Sequence, residues 1–352
     1  MKSLYIMGMP GSGKTVVVLG LAQKVRQEGL SAAYFKPVAN GKRVPGGVDL
    51  DAVLMKEVLG MNVPLEKIAP LSAGPFYLSS HGAYEGAEEK IMEAFNEVGS
   101  FADVVLIDGA LSPYVLSSCG LDSVSLAGKM GAAAVLVVKA ENDFSLDEAL
   151  HMSRCLARDG IEVLGVIFSN VPRALYSKTE GVYKPVLERE GFKVLGVFPQ
   201  RPEIVSPTVG EYYEALGGEI LACPDRLNLV VEDIVIGAMT MESALGYFRR
   251  LANKAVIFGG DRADLALAAL ETSTSALILT GGLYPDVKVI ARAEEKKVPV
   301  ILVHYDTYTT IEKLGRVSRH IRPGDRDSIQ AALENVEKYF DWQHVLSFLK
   351  KV

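Results

Sequence analysis

The chain has 352 residues, a formal net charge of -6, 49% hydrophobic residues and 23% charged residues. This composition is globular, suits a chain long enough for two domains, and excludes intrinsic disorder. The acidic balance argues against nucleic acid or an anionic membrane as partner, because either would call for a basic face, and no apolar run reaches the length of a membrane span.

A single Lys2 precedes the first apolar run, so a signal peptide is not expected and a cytoplasmic location is. The run Leu4–Met7 suits a buried strand. Gly8 to Thr15 then read G-M-P-G-S-G-K-T, an unbroken G-x-x-x-x-G-K-[ST] pattern, followed by a helix-forming stretch over Val16–Val25. Each residue type has a physical reason. Gly11 and Gly13 let the backbone turn tightly and approach an anion without a Cβ in the way. Loop N–H groups and those at the helix start converge on phosphate oxygens. Lys14 brings a compact positive charge to the terminal phosphates, and the Thr15 hydroxyl is a magnesium ligand. The positions after Gly8 are Met9 and Pro10, so the loop lacks the extra early lysine of the partitioning ATPases.

Ala32–Phe35 is the next expected strand, and Lys36 ends it in "YFKPV". That lysine either neutralises charge on a γ-phosphate or acyl phosphate, or is a solvated residue held by Pro37. Asp49 and Asp51 precede a helix in "GGVDLDAV"; one suits an N-cap, the other a magnesium ligand or general base. Val104–Ile107 is a strand ending in Asp108, either a second magnesium contact or a turn residue before Gly109. Further strands are expected at Ala134–Val138, Val163–Phe168 and Val194–Val197. Asn170 follows the second of these, and its amide fits an adenine edge or a plain strand-ending turn. Alternating buried strands and helices predict an α/β fold: a parallel sheet with helices on both faces, and ligands beyond the carboxyl ends of the strands.

Prolines cluster in "PQRPEIVSPTVG", which places a domain boundary near residue 205. The pattern then restarts, with a helix over Thr208–Leu216 and strands at Leu227–Val231, Val256–Phe258, Ala276–Leu279 and Val298–Val303. The expected domains are 1–205 and a smaller α/β domain over 206–352, whose tail from Asp325 forms two short helices. Cys119, Cys155 and Cys223 are widely spaced and give no disulfide framework, so buried free thiols are expected. The five histidines, His81, His151, His304, His320 and His344, are too scattered for a local metal motif.

"GMPGSGKT", "YFKPV", "DLDA", "VVLIDG", "GVIFSN" and "VLGVFPQ" stand in the order and spacing of the dethiobiotin-synthetase-like P-loop family, which the first 200 or so residues resemble. The resemblance implies ATP and Mg2+ as cofactors. It implies catalytic roles for Lys14 and Lys36, and magnesium contacts from Thr15, Asp51 and Asp108. It implies nucleotide contacts from Gly8, Pro10, Gly11, Ser12, Gly13, Lys14, Thr15, Asn170 and Pro199. It also implies a homodimer. The family's serine-proline-histidine segment is replaced by "APLSAGPFYLSSHG", and the Gly-rich stretch after its second metal carboxylate by "GALSPYV", which argues against dethiobiotin synthesis.

The second half resembles the DRTGG domain through Asp261, Arg262, Thr280, Gly281 and Gly282, which form either an anion or nucleotide pocket or tight βα turns. The order of the two domains resembles the N-terminal regulatory half of long bacterial phosphotransacetylases, and the acetyl-transferring part is not expected within this chain. Two functions follow. The first is a nucleotide-dependent regulatory ATPase responding to a small-molecule effector. The second is an ATP-dependent ligase phosphorylating a small carboxylate or carbamate, with Lys42 and Arg43 in "ANGKRVPGG" holding an acidic substrate.

Overall fold

The alternation of apolar runs and helices builds two sheets, each in its own compact unit. The computed structural model describes residues 1–40, 49–79, 84–317, 319 and 321–350. One unit comprises Met1–Arg201 with Ile321–Val352, and the other Pro202–His320.

In the first unit the strands are β1 (Lys2–Met7), β2 (Ala32–Phe35), β3 (Val38–Asn40), β4 (Leu71–Ala73), β5 (Val104–Asp108), β6 (Ala133–Lys139), β7 (Val163–Val171) and β8 (Val194–Pro199). Six of them form one sheet in the order β2-β5-β1-β6-β7-β8, while β3 and β4 pair separately. Every neighbour pair in the large sheet is parallel. The central strands are buried along almost their whole length, as a sheet covered on both faces requires. β1 lies between β5 and β6, where the strand order changes direction, so the loop after β1 opens into the crevice at the switch point.

Helix α1 (Lys14–Gln27) follows that loop, and α2 (Leu50–Leu59) follows β3. α1 is apolar on two faces, with Val17, Val18, Leu19, Leu21, Ala22 and Val25 all buried. The sheet cannot cover both faces. The helix Arg326–Tyr339 covers the other: a Cβ on Gly20 would lie 2.4 Å from the Val336 side chain. The chain then passes β8, where Gly196 bridges Phe340 and Asp341 N–H donates to Leu195 O at 2.7 Å. The two expected tail helices are Arg326–Tyr339 and Trp342–Leu349. They belong to the first unit, whereas the sequence grouped them with the second domain.

The second unit has β9 (Glu219–Ala222), β10 (Asp233–Ile236), β11 (Lys254–Gly259), β12 (Thr274–Thr280) and β13 (Val300–Leu302), in the order β10-β11-β12-β13-β9. Only β9 runs antiparallel to its neighbour. Apolar layers flank both faces of this sheet. The expected helix at Thr208 appears as Val209–Leu216, with Thr208 and Glu211 closing a capping box. The expected strand over Leu227–Val231 is not one. Its carbonyls at Leu227 and Leu229 accept from Gly210 and Val209 at the start of that helix, and Val231 is buried in the core. The run is apolar because it packs beneath the helix start, and the unit's strands lie on either side of it. All three cysteines are free; Cys223 is buried, but Cys119 and Cys155 are only half-buried.

Candidate functional site

The loop between β1 and α1 is held in one shape by its glycines. Gly11 and Gly13 have φ of 72° and 83°, the left-handed region that glycine alone enters without strain. Gly13 is the N-cap of α1, so the free N–H groups of the first turn face the loop. Gly8 is needed for room, since a Cβ there would sit 2.2 Å from the Val137 carbonyl oxygen. Pro10 and Gly11 are exposed, and Ser12 is fully buried. Ser12 therefore serves the loop through its backbone, and its carbonyl accepts from Ser169 Oγ at 2.5 Å.

Lys14 folds back over this loop. Its Nζ donates to Gly8 O at 2.9 Å and Met9 O at 3.3 Å. Burial lowers its pKa, which Asp108 partly opposes and Lys36 reinforces. The ammonium thus lies over the loop with only carbonyl partners, which makes it available to a stronger anionic acceptor.

Beside it lies a group of charges on β5, β2 and α2. Asp108 ends β5 and is 1% exposed. Its Oδ2 accepts from Thr15 Oγ1 at 3.2 Å and from Tyr34 Oη at 2.9 Å. Its Oδ1 is buried without a hydrogen-bond partner among the described residues. Burial raises the Asp108 pKa, Lys36 opposes the rise, and Asp51 adds to it.

Lys36 is also buried, which removes the solvated alternative. Its Nζ lies 2.5 Å from Asp51, 3.2 Å from Asp49 and 3.8 Å from Asp108. Burial alone would lower its pKa, but the three carboxylates outweigh burial and raise it. Asp49 also caps α2, accepting from Ala52 N at 3.1 Å. The choice between the two aspartates is therefore settled for the cap: Asp49 takes it, and Asp51 projects from the first turn.

Lys14 and Lys36 supply two positive charges against three carboxylates, a surplus of one negative charge. An orphaned buried carboxylate oxygen next to a threonine hydroxyl adds to this. Together they fit a hard divalent cation such as magnesium, which takes oxygen ligands. Among the described residues no three or more His, Cys, Asp or Glu side chains gather as a metal-binding group.

At the far end of the loop, Asn170 has φ of 51° and its Nδ2 donates to Gly11 O at 3.1 Å. The β7–β8 register shifts between Phe168 and Val171, which frees Ser169 and Asn170 to turn toward the loop. Val171 pairs with Pro199, so Pro199 stands one residue from Asn170 across the sheet. The Pro199 carbonyl accepts from Asn335 Nδ2 at 3.2 Å.

The structure therefore gathers Gly8, Pro10, Gly11, Ser12, Gly13, Lys14, Thr15, Lys36, Asp51, Asp108, Asn170 and Pro199 at one carboxyl edge of the sheet. Tyr34, Ser169 and Asn335 join them unannounced by the sequence. Tyr34 and Ser169 neighbour two singled-out residues, but nothing local marks Asn335. Lys42, Arg43 and His81 lie outside the described residues.

In the second unit Gly281 and Gly282 have φ of 81° and 66°, and their N–H groups donate to Tyr305 O and Val303 O. Arg262 bonds Asp264 and Met239 O. These contacts tie the segment after β12 to the segment after β13, and Arg262 to the carbonyl of Met239.

Residues 2–208 match the family model AAA_26, an AAA domain, and residues 211–317 match the DRTGG domain. A phosphate acetyltransferase of Pseudomonas putida is 26% identical over 95% of this chain and 50% of its own length. The chain thus spans about half the length of the phosphate acetyltransferases it matches. An ATP-dependent dethiobiotin synthetase BioD of Pseudomonas aeruginosa is 26% identical over 57% of this chain and 91% of its own. The septum site-determining protein MinD complexed with Mg-ADP from Pyrococcus horikoshii aligns with a TM-score of 0.38 and 20% identity, over 58% of this chain and 83% of that one. Among the described residues no helix is long and apolar enough to cross a membrane.

Proposed function

The chain belongs to the AAA domain family AAA_26, and on that premise we propose that it is an ATP-responsive regulatory protein. Mg-ATP binds at residues 8–15, and the DRTGG domain answers to a metabolite or a partner. The observation that carries this reading is Asp108: one oxygen bonds the Thr15 hydroxyl, and the other is buried with no partner among the described residues.

The loop N–H groups and the α1 N-terminus hold the phosphates. Lys14 exchanges its carbonyl partners for the terminal phosphate oxygens. Thr15 and Asp108 would hold magnesium, with Asp51 across Lys36 from Asp108. The ion, when bound, supplies positive charge across the terminal phosphates. Lys36 keeps Asp49, Asp51 and Asp108 together despite their mutual repulsion. Asn170 gives one amide N–H to Gly11 O, which leaves its other N–H and its carbonyl to meet the base.

A second reading, an ATP-dependent ligase acting on a small carboxylate or carbamate, is favoured by one observation. Lys36 lies 3.8 Å from Asp108, which also bonds Thr15 beside Lys14, so two cations stand near the place where a phosphoryl group would change acceptors. The relation to phosphate acetyltransferases supports the regulatory reading, because the match spans this whole two-domain arrangement.

Isothermal titration of Mg-ATP and Mg-GTP into the wild type and Lys14→Ala tests the proposal. ATP heat in the wild type, absent from the variant, is expected. A folded wild type that gives no heat with either nucleotide ends it.

A further inference from the structure

We infer that Asn335, on the helix Arg326–Tyr339, is a specificity-determining residue that recognises the 6-amino group of adenine at the end of the nucleotide site. The inference rests on the reading of residues 8–15 as an ATP site.

Asn335 is 4% exposed, and its amide is only half satisfied. Nδ2 donates to Pro199 O, while Oδ1 is buried with no hydrogen-bond partner among the described residues. The orientation of the amide is fixed chemically. A proline carbonyl only accepts, so the nitrogen must face it and the oxygen must point away. A buried amide oxygen left unpaired is costly enough to call for an explanation.

Asn335 and Pro199 line one groove of about 710 Å³, together with Gly20 and Gln23 of α1. A groove of that size is within the range of small-molecule sites. Pro199 is the register partner of Val171, one residue after Asn170, so the Pro199 end of the groove adjoins the strand end that carries Asn170.

The chemistry selects the base. Asn170 and Asn335 each commit one amide N–H to a backbone carbonyl, at Gly11 and Pro199, and the unpaired atom of Asn335 is its oxygen. Adenine offers a donor at position 6, and guanine offers an acceptor there. The unpaired Asn335 oxygen pairs with the first and repels the second.

The test compares ATP with purine riboside triphosphate, which carries hydrogen in place of the 6-amino group, on the wild type, Asn335→Ala and Asn335→Ser. Wild type is expected to bind ATP about tenfold more tightly than the analogue, the range for one hydrogen bond to a buried acceptor. In both variants the gap closes to about twofold, with affinity for the analogue unchanged. A structural role confined to holding Pro199 would weaken both ligands equally and leave the gap, which overturns the inference. No gap in the wild type overturns it without any variant. A wild type that binds neither ligand, like Lys14→Ala, removes the ATP-site reading and the inference with it.

Discussion

Replacing Lys36 by Met removes the cation that stands among Asp49, Asp51 and Asp108 and keeps a side chain of similar length. At 2.5 to 3.8 Å and an effective dielectric of 20, each attraction is on the order of 4–7 kcal/mol before desolvation. Most of that is offset by the cost of burying the charges, and breaking such a buried arrangement costs about 3–5 kcal/mol. The loss is pH-dependent. Burial already raises the Asp108 pKa in the wild type, and without Lys36 it rises further. A carboxyl whose folded pKa exceeds its unfolded value loses stability as pH rises through that window, so the deficit is full at neutral pH and shrinks as pH falls toward the ordinary carboxylate range. Magnesium substitutes for the missing charge. Urea unfolding of Lys36→Met at neutral pH is therefore expected to show the full deficit without the ion, and recovery of about half of it in millimolar magnesium, with little effect on the wild type. A deficit below about 1 kcal/mol, or one blind to both magnesium and pH, refutes the reasoning.

Two further outcomes follow from packing. In Gly20→Leu the added side chain meets Val336, so unfolding of the first unit is expected to cost about 2–3 kcal/mol, with Val336→Ala recovering about half; urea denaturation of the double variant reads this. Lys254 is fully buried, donates to Leu251 O, Thr272 Oγ1 and Ser273 O, and burial lowers its pKa to about 8. Between that value and the ordinary lysine range the unfolded chain binds more protons, so the second unit gains stability as pH rises, by about 1–2 kcal/mol after solvent screening. Lys254→Met abolishes that increment; an unchanged pH slope would show that Lys254 is not its source.

The P-loop was legible because each of its residue types answers a separate demand: room at Gly8, left-handed backbone at Gly11 and Gly13, charge at Lys14. The strands ending at Phe35, Asp108 and Pro199 were legible because fully buried parallel strands read as continuous apolar runs. Leu227–Val231 reads the same way and is not a strand, since burial under a helix start requires the same apolarity. The tail helices were legible as helices but not in their placement. The signal for that was the apolarity of α1 on both faces, which calls for a second covering layer. Asp49 and Asp51 could not be separated until the helix start was fixed. Tyr34 and Asn335 act through contacts 74 and 136 positions away in the chain, a separation no local pattern records.

The central claim is that residues 8–15, with Asp108, form a magnesium-dependent nucleotide site. The ATP dissociation constant, measured in magnesium and again in EDTA for the wild type and Asp108→Asn, tests it most directly. The account predicts that magnesium tightens wild-type binding by at least about tenfold, roughly 1.4 kcal/mol, and that the variant loses this gain. Equal wild-type affinity in magnesium and EDTA, or a variant that keeps the gain, would contradict it.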